Sequence, residues 1–272
     1  MVYGAKNGSV KIGNTDMDYI SFGKGLKNLV MIPGLGDGLK TVKGSAITMA
    51  VMYRLYAKDY NVYIFSRKNQ LVEGYSTKDM ARDQKIAMEK LGISKASILG
   101  ISQGGMISQY IAIDYPELVE KLILAVTLSR QNETVNKIIS RWIDMADKND
   151  YKNLFIDTTE KSYTEKYVKK YRPFYFILSR IGKPKDFNRF IIQAKSCLNH
   201  DTYNELDKIN CPALVIGAEN DQIAGKTASE EIAGKIKNSK LIIYKDLGHG
   251  AYIEAKDFDR RILEFLKNDE SM

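Results

Sequence analysis

The sequence predicts an α/β fold in which a mostly parallel sheet is flanked by helices and interrupted by a helical insertion. Three observations predict it. Short apolar runs typical of buried strands alternate with stretches whose apolar residues recur at helical spacing. This alternation stops between about residues 130 and 200, where helical patterns occur without buried strands. The segment Gly100-Ile101-Ser102-Gln103-Gly104 stands where a strand turns sharply into a helix.

Composition places the chain among globular proteins. It has 272 residues, of which 44% are apolar and 27% are charged. No apolar run approaches the ~18 residues of a membrane span, and the first residues lack the apolar core of a signal peptide. Cys197 and Cys211 read as reduced thiols, and no spacing typical of a metal site occurs. We therefore expect a cytoplasmic protein with no bound metal and no membrane partner.

The net charge of +8 is concentrated in the insertion. Between Arg130 and His200 there are 15 Lys and Arg residues against 8 Asp and Glu residues. Two interpretations are open, a solvated surface or a basic rim that attracts anionic substrates. Nucleic acid is not expected as a partner, because no helix-turn-helix, zinc-finger or RNP-like pattern accompanies the charge.

The elements before the insertion begin with two edge strands. Apolar alternation predicts them at residues 9–12 and 17–22, with a turn at 13–16. Continuous apolar runs predict strands covered on both faces, at residues 28–32, 61–65, 96–99 and 122–126. Helical spacing predicts helices, at residues 46–57, 77–91 and 106–115. Ser76 and Asp79 resemble a capping box, which marks the start of the second helix.

The insertion is predicted to be helical at residues 134–146, 164–181 and 186–198, and Pro173 should break the second helix. It is rich in aromatic residues. These form either the core of the insertion or, since the insertion follows the carboxyl end of a strand, the inner face of a substrate pocket. On the second interpretation we assign Trp142, Phe174 and Tyr175 to substrate binding.

The strand and helix alternation resumes after residue 200. Strands are predicted at residues 213–217 and 240–244, and helices at residues 227–236 and 255–266.

The turn around Ser102 predicts a nucleophile. Such a turn strains the serine backbone and lifts its hydroxyl above the sheet. Residues without a Cβ are needed two positions before and after it, as Gly100 and Gly104 provide. The helix that follows points free N–H groups back at the serine, ready for a developing oxyanion.

The glycine-rich loop Pro33-Gly34-Leu35-Gly36-Asp37-Gly38 follows a predicted strand. Its spacing fits neither known phosphate-binding pattern. The better interpretation is the second half of an oxyanion hole, with the Leu35 N–H aimed at the same point as the Gln103 N–H. Gly34 would let the backbone approach the substrate.

A serine nucleophile needs a base. His249 lies between two glycines directly after the last strand, whereas His200 ends the insertion and favours a surface or capping role. We assign the base to His249.

The base in turn needs an orienting acid. Asp221 lies on the loop after the strand at 213–217. Glu219 competes but lies closer to the strand, and Glu133 lies seven residues beyond its own strand. We assign the acid to Asp221.

These four motifs together resemble the α/β-hydrolase superfamily over nearly the whole chain. The resemblance implies an eight-stranded sheet, a core of residues 1–129 and 201–272, and a helical cap of residues 130–200. It also implies nucleophile Ser102, base His249, acid Asp221, and oxyanion donors Leu35 and Gln103. Pro33 stands where many members have histidine, so support for that loop should differ.

The resulting expectation is a cofactor-free, carboxylesterase-like serine hydrolase acting on a small acyl compound, apolar with an anionic portion. A thioesterase, a lactonase or a C–C bond hydrolase would use the same triad, and so would perhydrolysis or acyl transfer. A different class, a small-molecule sensor that keeps the hydrolase site, is the remaining alternative. Fold membership does not select among these functions, and the oligomeric state is not predicted.

Overall fold

An eight-stranded sheet organises the fold. The computed structural model describes residues 2–268, and its strands follow the order β1-β2-β4-β3-β5-β6-β7-β8. They are β1 (Lys6–Ile12), β2 (Thr15–Gly23), β3 (Lys27–Ile32), β4 (Tyr60–Lys68), β5 (Ala96–Ile101), β6 (Val119–Ala125), β7 (Ala213–Ala218) and β8 (Ser239–Tyr244). The pairs β1·β2 and β2·β4 are antiparallel and the other five are parallel. The predicted fold class is therefore confirmed.

Helices cover both faces of the sheet. They are α1 (Ala46–Met52), α2 (Thr77–Lys90), α3 (Gln103–Asp114), α4 (Glu133–Asp147), α5 (Tyr151–Ser162), α6 (Glu165–Tyr171), α7 (Tyr175–Leu178), α8 (Asn188–Leu198), α9 (Ala228–Lys235), α10 (Ala251–Glu254) and α11 (Phe258–Lys267). Helices α2, α3 and α9 pack on one face, and α1 and α11 pack on the other. Because successive strand residues point to opposite faces, Ile98 joins the first core and Leu99 the second.

Two predicted helices are shorter than expected. Helix α1 ends at Met52, five residues before the predicted end, and turns carry the chain to β4. Tyr56 is buried there with its hydroxyl 2.9 Å from Asp259 Oδ1 of α11, so a tertiary contact replaces the helical path. The final helix, predicted at 255–266, is α11, which begins three residues later at Phe258, and the short helix α10 before it was not predicted. The capping box of Ser76 and Asp79 is present as predicted.

The insertion lies between β6 and β7 and consists of α4 to α8. Its two ends meet, because the Thr202 N–H donates to the Ser129 carbonyl at 2.7 Å and Arg130 pairs with Asp201. A 3₁₀ turn at Arg172–Phe174 interrupts the predicted helix 164–181, which confirms the break at Pro173. Helix α5 was not predicted. Buried residues of α4, α5 and α8 form a third core that contacts Leu35 and Met106.

Within residues 2–268, no helix is both long enough and apolar enough to cross a membrane.

Candidate active site

Ser102 occupies the strained turn between β5 and α3. Its backbone has φ 54° and ψ −120°, which side-chain-bearing residues rarely adopt. A Cβ on Gly104 would overlap the Ile32 carbonyl oxygen, so this neighbour must be glycine. The Ser102 N–H donates to the Ala125 carbonyl at 2.9 Å, and its own carbonyl accepts from Thr127 Oγ1 at 2.7 Å. These contacts fix the direction of the serine side chain.

Asp221 follows β7 and His249 follows β8, and both side chains extend toward Ser102. His249 Nε2 lies 3.0 Å from Ser102 Oγ, and His249 Nδ1 lies 2.9 Å from Asp221 Oδ2. Asp221 Oδ1 accepts the N–H groups of Ile223 and Ala224 at 2.8 Å each, which fixes the carboxylate. His249 is therefore placed to accept the proton of the serine hydroxyl, and Asp221 is placed to orient the imidazole and to stabilise its charge.

The competing acids lie elsewhere. Glu219 is exposed and Glu133 begins α4, and neither has a hydrogen bond to His249 among residues 2–268. His200 is not at the surface as expected. It is 1% exposed, its Nδ1 lies 3.0 Å from Thr77 Oγ1, and burial lowers its pKa to about 3. The polar residues beside His200 in the sequence indicate a surface position, whereas the neutral imidazole has a structural role in the interior.

The two candidate oxyanion donors start neighbouring helical turns. Leu35 begins the 3₁₀ turn Leu35–Gly38 after β3, and Gln103 begins α3 after β5. Strands β3 and β5 are adjacent and parallel, so the two turns meet at the same sheet edge. Neither backbone N–H has an acceptor among residues 2–268. Gly34 lies beside Ser102, where an added Cβ would come within 3.2 Å of the serine Cβ.

Arg67, to which the sequence assigned no role, supports the loop that carries Leu35, on the side away from the cavity. Its side chain is fully buried at the end of β4. Its Nη2 donates to the Pro33 carbonyl at 2.6 Å and to Gln103 Oε1 at 2.7 Å. Burial lowers its pKa, and nearby Asp37 opposes that shift. Arg67 thus joins both candidate oxyanion turns.

Helix α8 of the insertion completes this network. Arg189 Nη2 lies 2.6 Å from Asp37 Oδ2, and Gln103 Nε2 donates to the Gln193 carbonyl at 2.7 Å. Two cations, Arg67 and Arg189, therefore face one buried carboxylate behind the loop. A lone arginine after a strand carries no sequence signal of this role.

A cavity of about 580 Å³ opens at Ser102 and His249. Its wall is largely apolar and includes Met106, Trp142, Tyr151, Phe155 and Tyr252. Trp142 lies in this wall as the prediction for substrate binding requires, with its Nε1 2.8 Å from Asp157 Oδ2.

The other two aromatic assignments do not fit the cavity. Phe174 and Tyr175 are not among its described lining residues, and Phe174 is 54% exposed. Tyr175 instead packs edge-on against Phe155, with the ring centroids 5.8 Å apart. Helical periodicity alone did not show which face of α7 points inward.

Few charges line the cavity. Lys40 is the only Lys or Arg among the described residues of the wall, so the basic residues of the insertion do not form a rim there, and the interpretation as a solvated surface is favoured. Among residues 2–268, no group of three or more His, Cys, Asp or Glu side chains is placed to hold a metal ion.

Known proteins resemble this chain over most of its length. A family model for the alpha/beta hydrolase fold matches residues 27–256. The 2-hydroxy-6-oxononadienedioate/2-hydroxy-6-oxononatrienedioate hydrolase 1 of Pseudomonas putida is 25% identical over 284 residues, covering 94% of this chain and 95% of that protein.

Two solved structures share the fold. One is MGS-M2, an alpha/beta hydrolase enzyme from a Medee basin deep-sea metagenome library, with a TM-score of 0.84 and 20% identity over 97% of this chain and 100% of that one. The other is the enol-lactonase from Burkholderia xenovorans LB400, with a TM-score of 0.82 and 19% identity over 95% of this chain and 99% of that one.

Proposed function

Because this chain belongs to the alpha/beta hydrolase fold family, we propose that it is a serine hydrolase that cleaves an ester or lactone bond of an apolar acyl compound. The observation that carries the proposal is the continuous contact from Ser102 Oγ through His249 to Asp221, at 3.0 and 2.9 Å. A serine hydroxyl becomes a strong nucleophile only when a positioned base removes its proton.

The reaction proceeds in two halves. Ser102 Oγ attacks the ester carbonyl carbon while His249 Nε2 takes the hydroxyl proton, and Asp221 stabilises the imidazolium. The N–H groups of Leu35 and Gln103 hold the tetrahedral oxyanion. His249 then returns the proton to the leaving alkoxide, which leaves an acyl group on Ser102. Water, activated by the same histidine, releases the acid and restores the serine.

The cavity wall favours an apolar acyl group. Apolar side chains dominate it, and burying an unpaired carboxylate against them would be costly. Lys40 alone among the described lining residues offers a cation. We therefore favour a neutral ester or lactone over the dicarboxylate that the name of the Pseudomonas putida relative indicates.

We further propose the division of the chain into a catalytic core, residues 1–129 and 201–272, and a cap, residues 130–200. The hydrogen bond from the Thr202 N–H to the Ser129 carbonyl joins the two ends of the insertion, which we call its neck, and supports these boundaries. Cap residues Trp142, Tyr151 and Phe155 close the cavity from above and set the size of the acyl group it accepts.

A C–C bond hydrolase is the second candidate. The likeness to the Pseudomonas putida hydrolase over 94% of the chain favours it. The same serine, histidine and aspartate would act on a ketone carbonyl, with a carbanion in place of the alkoxide as leaving group.

Hydrolysis of p-nitrophenyl acetate, butyrate and octanoate tests the proposal. We expect wild-type activity to fall by about 10⁴-fold or more in Ser102→Ala. Ser239→Ala on β8, far from the sheet edge that carries the triad, is the matched control and should retain activity. The preferred chain length reports the depth of the cavity.

Two results would count against ester hydrolysis by this triad. Activity that survives Ser102→Ala would overturn the mechanism. Folded wild-type protein that cleaves a 2-hydroxy-6-oxo-dienoate but no ester would transfer the assignment to the second candidate.

A further inference from the structure

The outer surface of the insertion carries an exposed apolar ridge. Its residues are Phe174 (54% exposed), Phe176 (60%), Ile177 (45%) and Ile181 (64%). Backbone hydrogen bonds continue the helical path of α7 to Ile181, which donates to the Ile177 carbonyl at 3.3 Å. On that path Phe174, Ile177 and Ile181 follow one another at spacings of three and four residues and share one face. Tyr175 and Ser179 lie on the opposite, buried face.

Positively charged residues flank the ridge in the sequence, and we call them the collar. Between residues 166 and 185 the sequence has seven Lys and Arg residues and no Asp or Glu. All seven are exposed: Lys166, Lys169, Lys170, Arg172, Arg180, Lys183 and Lys185. Lys169 and Arg172 pair with Glu165 and Glu160. The other five form no ion pair within residues 2–268, so most of this charge is uncompensated.

The ridge is attached to the wall of the cavity. The Tyr151 hydroxyl donates to the Ile181 carbonyl at 3.2 Å, and Tyr175 packs on Phe155. Tyr151 and Phe155 both line the cavity. A surface that holds the ridge would therefore lie against the segment that closes the cavity.

We propose that the ridge and collar form a peripheral docking surface for a membrane containing anionic lipid. Aromatic and aliphatic side chains on a short helix insert into the interfacial zone, while a basic surround is attracted to anionic headgroups. Such binding departs from the expectation of no membrane partner. That expectation rested on the absence of an apolar run long enough to span a membrane, which peripheral binding does not need.

Charge and apolar contact disfavour two other occupants. A second copy of the chain would bring a second collar of the same sign against the first, which is repulsive. A nucleic acid would satisfy the collar but leave the aliphatic Ile177 and Ile181 side chains against a charged backbone.

Vesicle flotation tests the inference. Wild-type protein is mixed with vesicles of phosphatidylcholine alone, or with about 30 mol % phosphatidylglycerol added. We expect at least roughly tenfold stronger binding to the anionic vesicles, weakened as salt screens the collar. Phe176→Ser with Ile177→Ser, and separately Lys183→Gln with Lys185→Gln, should each lower binding by about tenfold.

Matched variants place the same changes elsewhere on the surface. Leu26→Ser with Ile47→Ser removes two exposed apolar side chains, and Lys237→Gln with Lys240→Gln removes two exposed cations. Both should bind as wild type does, and all variants should keep the wild-type melting temperature. The inference does not rest on the proposed hydrolase activity, so Ser102→Ala should also bind vesicles normally.

Three outcomes would overturn the inference. They are equal binding to neutral and anionic vesicles, equal loss in the ridge variants and their controls, and absence of binding by folded protein. A dimer detected by light scattering and dispersed by Phe176→Ser with Ile177→Ser would assign the ridge to a second copy instead.

Discussion

At the scale of single residues, Arg67 helps to orient one peptide plane, the one between Gly34 and Leu35. The Leu35 N–H belongs to the same peptide unit as the Gly34 carbonyl, and in a trans peptide the two point in opposite directions. The Gly34 carbonyl accepts from the Asp37 N–H at 3.2 Å and lies 3.5 Å from Arg67 Nη2, while the Pro33 carbonyl lies 2.6 Å from the same nitrogen. Holding these oxygens away from the cavity turns the Leu35 N–H toward it.

Replacing Arg67 should therefore affect the transition state more than substrate binding. We expect Arg67→Met to lower kcat about tenfold to a hundredfold with little change in KM, since losing an oxyanion donor outright costs about 10² to 10³. Arg67→Lys should recover part of the loss, because it restores the charge without the fork. Steady-state kinetics on a p-nitrophenyl ester measures both parameters.

A structural effect can be separated from this one by an aryl boronic acid, which forms a tetrahedral adduct with the serine. Its affinity should fall by the same factor as kcat/KM. An unchanged boronate affinity beside a raised KM would contradict the role given to Arg67.

At the scale of elements, His200 joins three of them. It follows α8, its Nδ1 lies 3.0 Å from Thr77 Oγ1 at the start of α2, and its ring packs edge-on against Tyr110 of α3. Burial lowers its pKa to about 3 from an ordinary value of 6.5. Under mildly acidic conditions His200 is therefore protonated in the unfolded chain and remains neutral in the folded protein.

A fall in pH lowers the unfolding free energy of the protein through His200. The stabilising contribution of neutral His200 is complete above about pH 6.5 and is lost as the pH falls toward 3. We expect wild type to lose about 2 kcal/mol of unfolding free energy between about pH 7.5 and pH 5 that His200→Gln does not lose. Urea unfolding at both pH values measures it. Parallel pH profiles for wild type and His200→Gln would refute the assignment.

The same elements show what sequence could predict. Ser102, Asp221 and His249 each follow a parallel strand, and the carboxyl ends of such strands meet at one edge, so their approach was foreseeable. Arg67 lies at the end of β4, beyond the apolar run that predicts this strand, and its neighbours Ser66 and Lys68 suggest a solvated end. Helix α5 escaped detection because polar residues interrupt its apolar spacing. Phe174 was misplaced since the pattern of α7 does not reveal which face meets α5.

At the scale of the whole molecule, the insertion is joined to the rest by more than its neck. Arg189 and Gln193 of α8 contact Asp37 and Gln103, which lie beside the sheet edge that carries Ser102. The third core also contains Leu35 and Met106 from outside the insertion. Removing the insertion would leave both polar and apolar partners without cover.

A variant that joins residue 129 to residue 202 through a short glycine-containing turn tests this coupling. The adjacency of Ser129 and Thr202 makes the closure geometrically simple. We expect a fall of several kcal/mol in unfolding free energy, because breaking one buried ion pair by removing a partner already costs about 3–5 kcal/mol. Urea unfolding and activity on p-nitrophenyl acetate measure the result. A stable variant with full activity would show that α8 does not support the site.

The bonds between α8 and the loop around Asp37 restrict sequence change in one part of the insertion, and the rest of the insertion is free of that restriction. A homologue that exchanged the entire insertion would inherit an α8 without its matching Asp37 and Arg67 and would lose support at the sheet edge that carries Ser102. Helices α5 and α7 take no part in those bonds, so new substrate preferences can arise there by single substitutions. Under the proposed function, variation in acyl preference among descendants of this protein should therefore accumulate in residues 151–185, while Arg189 and Gln193 change only together with their partners.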